Sequence, residues 1–78
     1  MKKKKINKRF KVHYYISGYY LFEYCEETNF ERKYDFLNDS QNQEREMFQT
    51  RLKIYHKRNY EVYISATDLY YLHIWRWL

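Results

Sequence analysis

The chain has 78 residues, among them eleven Tyr, five Phe and two Trp, with no Pro, one Gly, one Cys and a formal net charge of +5. A single cysteine excludes an intrachain disulfide framework, so a domain able to bury only about 60% of its unfolded surface must be held by aromatic packing or by oligomerisation, in a reducing compartment. No apolar run approaches the ~18 residues of a membrane span. The basic start is followed by His13, tyrosines and Glu23 without a small-residue cleavage site, so the expected location is the cytoplasm of a host cell.

Seven of the first eleven residues are basic, so residues 12–78 hold eight basic against ten acidic groups and the body is not a basic protein. Lys2, Lys3, Lys4, Lys5, Lys8 and Arg9 have little apolar surface to bury beside them, and residues 1–9 are expected to form a disordered arm. Such an arm either solubilises the chain or attracts nucleic acid and other anionic surfaces by counterion release. Residues 10–78 are expected to form one domain.

From Phe10 the pattern has period two, with Phe10, Val12, Tyr14 and Ile16 alternating with Lys11, His13, Tyr15 and Ser17, which predicts a strand. Ser17-Gly18 predicts a two-residue hairpin turn, because Gly18 alone takes positive φ at no steric cost. A return strand from Tyr19 to Glu26 then sets Ile16 opposite Tyr19, Tyr14 opposite Leu21, Val12 opposite Glu23 and Phe10 opposite Cys25. The second face of that hairpin carries Lys11, His13, Tyr15, Tyr20, Phe22 and Tyr24; these aromatics either pack under a helix as core or, since a chain this short can hardly cover both faces of a strand, leave some tyrosines exposed to a partner. Glu27-Thr28-Asn29 reads as a turn into a third strand containing Phe30, Arg32, Tyr34 and Phe36.

Asn38-Asp39-Ser40 breaks the strand pattern, and Ser40 with Gln43 matches a capping box. A helix follows, its stripe formed by Met47, Phe48, Leu52 and Tyr55 with Ile54 at the edge, its acids early and its bases late, and Asn59 as its stop. Tyr60, Val62 and Ile64 alternate with Glu61, Tyr63 and Ser65 to give another strand. Ala66-Thr67-Asp68 is expected to turn the chain into a last strand from Leu69 to Leu78, rich in Tyr, Ile and Trp. The alternative is a short terminal helix capped by Thr67. The expected fold class is α+β: an N-terminal antiparallel meander, one central amphipathic helix and a C-terminal hairpin.

No catalytic motif emerges. Cys25, His13, His56 and His73 lack the paired short spacing of zinc ligands, Glu26 and Glu27 are adjacent and point to opposite faces of a strand, and one glycine cannot make a phosphate loop. No metal or cofactor is therefore expected. The aromatic face would suit base stacking, but Lys11 and His13 alone flank it and Glu23 and Glu26 lie near.

Heavy use of Lys, Tyr, Asn, Ile and Phe implies an A/T-rich genome. In size and composition the chain resembles the small accessory proteins of phages and mobile elements in low-GC bacteria, many of them antagonists of defence systems. The absent catalytic motifs, the Tyr and Trp enrichment and the acidic middle of the chain point to a non-enzymatic protein that occupies a surface on a larger host protein or nucleoprotein complex, and the resemblance implies an anti-CRISPR-like inhibitor. Tyr15, Tyr19, Tyr20 and Tyr24 are the expected anchors, and Glu26, Glu27 and Glu31 the expected charged contacts to a basic groove. The alternatives are a small nucleic-acid-binding protein using the arm, a toxin-like ribonuclease, and a peripheral membrane protein using the arm with Trp75 and Trp77. Self-association is a further expectation.

Overall fold

The computed structural model describes residues 9–75. Its elements run β1 (Lys11–Ser17), β2 (Tyr20–Cys25), β3 (Phe30–Tyr34), α1 (Gln43–Lys57), β4 (Glu61–Ile64) and α2 (Ala66–Trp75). The four strands form one sheet in the order β3-β2-β1-β4, antiparallel except for the β1–β4 pair. The fold is a small α+β domain with the expected meander and central helix.

The hairpin closes one residue later than the sequence pattern implies. Gly18 (φ 64°) and Tyr19 form the loop, Ser17 pairs with Tyr20, and Tyr14 rather than Val12 faces Glu23. Positive φ at the first loop residue and not the second is the turn with glycine leading. The register moves by two positions, so every side chain keeps its predicted face. Val12, Tyr14, Leu21, Cys25 and Tyr34 consequently share one buried face with Phe36, Tyr55 and Leu72 from beyond the sheet. Phe48 of α1 sits among them edge-on to Tyr14, Tyr34 and Phe36 at centroid distances of 5.2, 5.8 and 5.6 Å.

α1 begins differently from the Ser40 capping box. Asn42 precedes the helix with φ 59° and makes no side-chain cap, while the Asp39 carboxylate accepts the Arg45 amide at 2.9 Å and its guanidinium at 3.3 Å. The left-handed step at Asn42 folds the chain back and sets Asp39, not Ser40, over the free amides. The buried side of α1 is centred on Phe48, Arg51 and Tyr55, while Met47 and Ile54 are 40% and 38% exposed.

The stop falls at Asn59 as expected. With φ 65°, Asn59 donates its amide to His56 O at 3.1 Å and Tyr60 donates to Tyr55 O at 2.9 Å, while the Tyr55 and Tyr60 rings stack at 5.4 Å. These are the two backbone bonds and the apolar contact of a Schellman terminus. Arg9, assigned to the arm by the sequence pattern, is tied to this corner: its Nε donates to Asn59 O at 2.8 Å and its guanidinium lies 3.7 Å from Glu61.

The C-terminal hairpin does not form. β4 runs parallel to β1, as a 15-residue helix crossing from one sheet edge to the other allows. Residues 66–75 are helical and not a strand. The cap is Ser65 rather than Thr67: its hydroxyl accepts the Asp68 amide at 3.1 Å, while the Asp68 carboxylate accepts the Ile16 amide at 3.2 Å and fixes α2 to the end of β1. The expected strand over residues 76–78 lies outside the described residues.

Candidate functional site

Both helices pack on one face of the sheet, so among the described residues no element covers the opposite face, and its aromatics take the exposed alternative rather than lying under a helix. Period-two geometry and the observed pairing lay its side chains out in rows across the strands. One row runs Glu31, Tyr24, His13, Tyr63, and the next runs Lys33, Phe22, Tyr15. Tyr20 extends the platform toward the hairpin, and Lys11 with Glu61 closes the other end.

The rings are held by each other. Tyr15 and Phe22 stack at 5.1 Å with planes 11° apart, His13 and Tyr63 stack at 5.3 Å, and Tyr20 meets Phe22 edge-on at 6.4 Å. Lys33 Nζ lies 4.3 Å over the Tyr20 ring. Tyr63 donates to Glu61 at 2.6 Å, a hydrogen bond that raises its pKa. Tyr15 and Tyr63 nevertheless remain 48% and 44% exposed. This is an aromatic surface with an acid and a base at each end, Glu31 with Lys33 and Glu61 with Lys11.

Of the residues singled out from the sequence, Tyr15, Tyr20, Tyr24 and Glu31 come together on this face. Tyr19 stands at the hairpin tip, 70% exposed. Glu26 and Glu27 lie at the opposite end of β2, about 20 Å from that tip at strand rise. The hairpin tip and the Glu26–Glu27 turn are thus opposite ends of β2, with Tyr24 and Glu31 on the platform beside the second. Glu26 is exposed, but Glu27 accepts the Lys11 amide at 3.2 Å and belongs partly to the framework. Lys2, Lys3, Lys4, Lys5 and Lys8 lie outside the described residues.

Tyr63 and Lys33 were missed as site residues. Lys33 has the right parity in its strand, but Tyr63 joins the platform only through parallel pairing of β4 with β1, which no local pattern announces.

The buried face holds a second polar assembly. Glu23, 1% exposed, accepts from the Tyr14 hydroxyl at 3.2 Å, from the hydroxyls of Tyr34 and Tyr55, and from Arg51 Nε at 2.7 Å. The Arg51 guanidinium also lies 4.0 Å over the Phe30 ring. Burial, then Glu23, raises the pKa of Tyr14 and Tyr34, and the same causes push Tyr55 up to about 12. Burial opposes the charge on Arg51, but its hydrogen bonds to Glu23 and Tyr55 prevail and raise its pKa. With its oxygens occupied and no solvent path, Glu23 is a strut between β2 and α1 and not a general base. It also lies on the far side from the aromatic platform, so the objection that its charge opposes stacking there falls away.

Among the described residues, no group of three His, Cys, Asp or Glu side chains is placed to hold a metal, and no helix is long and apolar enough to cross a membrane. Cys25 is buried, with Sγ 3.7 Å from Glu27 Oε1. No protein-family model matches the sequence, and no significantly similar curated protein or solved structure was found.

Proposed function

We propose that the chain is a non-enzymatic binding protein that acts by laying the open face of its sheet on a larger protein. One observation carries the reading: an entire sheet face, paved by His13, Tyr15, Tyr20, Phe22, Tyr24 and Tyr63, is left without a cover in a chain that has no further element to cover it among the described residues. Tyrosines immobilised by neighbouring rings lose little further entropy on contact, which is what anchor residues need. The mixed charge at the margins sets orientation without demanding a polyanion. The partner class suggested by size and composition is a nucleic-acid-handling host defence complex, for an inhibitor of phage or mobile-element type.

A second reading has an observation of its own. Lys33 and Lys11 stand at opposite corners of the stacked rings, an arrangement on which single-stranded nucleic acid could lie with bases on the aromatics and phosphates at the edges.

Affinity capture from a low-GC bacterial lysate, treated with nuclease and run in parallel with Tyr15→Ala/Tyr63→Ala and Met47→Ala, separates the two. A specific protein retained by wild type and by Met47→Ala, but lost at least tenfold with the double variant, is the expected result. Retention by all three would remove the platform from the interface. Tight, sequence-tolerant binding of single-stranded oligonucleotide that is lost with Tyr15→Ala/Tyr63→Ala would put the second reading in its place, and RNA cleavage would establish the ribonuclease.

A further inference from the structure

The helical layer carries its own unsatisfied surface. From Leu69 to Trp75, α2 has no charged residue other than His73, yet Leu72 alone of its side chains is buried. Leu69, Tyr70, Tyr71 and Ile74 are 54%, 62%, 48% and 37% exposed. A helix that is apolar on all sides belongs in an interior. Beside it runs a groove of about 900 Å³ between α1 and α2, floored by Phe36, Phe48, Leu52 and Leu72 and bordered by Arg45 and Gln49.

We infer that this surface is a two-fold interface with a second copy of the same chain, in which the Tyr70 ridge of each copy enters the groove of the other. A two-fold contact requires one patch to be complementary to itself. A ridge lying beside a groove of the same apolar chemistry meets that requirement. The patch carries Arg45 at its border and otherwise little charge, and residues 9–75 hold nine basic against ten acidic groups, so two copies meet without mutual repulsion.

Other occupants fit less well. An anionic lipid surface or a nucleic acid would call for Lys or Arg along α2, and residues 66–75 contain none. In size, the exposed side chains of α2 together with the lining of the groove offer on the order of 500 Å² per copy, so a pair buries roughly 1,000 Å², the lower bound of a specific and exchangeable dimer. Because the helices lie on one side of the sheet, such a dimer turns both aromatic platforms outward and makes the particle bivalent. The dimer stands independently of what those platforms bind.

Sedimentation velocity of the full chain at physiological salt, from about 1 to 200 μM, tests the assignment. The mass should rise with concentration from 10.1 kDa toward twice that value. Tyr70→Glu should hold the protein at monomer mass throughout, with an unchanged circular dichroism spectrum, because the side chain is mostly exposed. Tyr15→Glu, on the opposite face, should dimerise like wild type. Leu69→Glu is the second variant should Tyr70→Glu disturb the fold. A monomer at every concentration overturns the inference, as does a dimer indifferent to Tyr70→Glu and Leu69→Glu, one dissolved by Tyr15→Glu, or open-ended growth beyond two copies. Recruitment of the monomer to anionic vesicles, lost with Tyr70→Glu, would assign the patch to a lipid surface instead.

Discussion

Glu23 shows how much of this small core is organised around one charge. A carboxylate taken out of water is costly unless every lone pair is answered. Here three tyrosine hydroxyls and one guanidinium answer it, which joins β1, β2, β3 and α1 at a single point. Glu23→Ala should therefore cost about 3 to 5 kcal/mol in urea unfolding, because it strands Arg51 and the hydroxyls. That is a large share of the roughly 5–15 kcal/mol of a typical domain. Glu23→Gln, which keeps an acceptor but not the charge, should cost less, and near-silence of Glu23→Ala would refute the strut. The cluster also sets an alkaline edge. Since folding raises the pKa of Tyr14, Tyr34 and Tyr55, the stability that they contribute is complete below pH 10 and is lost as pH rises toward about 12, where tyrosinate is forced into the core.

At the scale of elements, both helices are fixed by side chains outside them. Burial of the Asp39 carboxyl raises its pKa, but the amides of Arg45, Glu44 and Gln43 and the Arg45 guanidinium outweigh this and hold it below the ordinary value. A depressed pKa contributes stability that is present above the unfolded value of 3.8 and disappears as pH falls through the folded one. Asp39→Ala should accordingly lower stability by about 1 kcal/mol at neutral pH, and the gap from wild type should close in melts taken below pH 3.8. A gap that persists in acid would mean that the carboxylate charge is not what caps α1. Arg45 extends the same junction by donating to Trp75 O at 3.0 Å, so the start of α1 and the end of α2 are one joint.

For the whole molecule, charge and aromatic surface are separated along the chain. Removing residues 2–8 deletes five lysines and takes the formal charge from +5 to zero. Attraction to generic single-stranded DNA at low salt, followed by fluorescence anisotropy, should fall to background in the truncated chain and fade in the intact one as salt rises toward 0.2 M, roughly as counterion release requires. Capture of a protein partner through the open face should survive the deletion. Tight DNA binding by the truncated chain at physiological salt would instead locate the nucleic-acid contact in the body of the domain.

Local pattern alone was enough to determine the meander, the parity that assigns Tyr15, Tyr20, Phe22 and Tyr24 to one face, the central helix and its stop at Asn59. Strand alternation and helix termination depend on residues within a turn or two of each other. A signal for α2 is also present locally: Ser65 and Asp68 have the spacing of a capping box ahead of an apolar run, and the Tyr, Ile and Trp content of residues 69–78 competes with it by favouring a strand. What only tertiary structure decided was which face would be covered. The alternation makes both faces of β1 and β2 aromatic and apolar enough to be buried, so the choice fell to elements far along the chain. Tyr34, Arg51 and Tyr55 converge on Glu23 and draw α1 to that side, and α2 follows through Asp68 and Arg45. Among the described residues the other face has no cover, because α1 is committed to the buried carboxylate and α2 is tied to α1 and to the end of β1, so neither can also reach the far side of a single sheet.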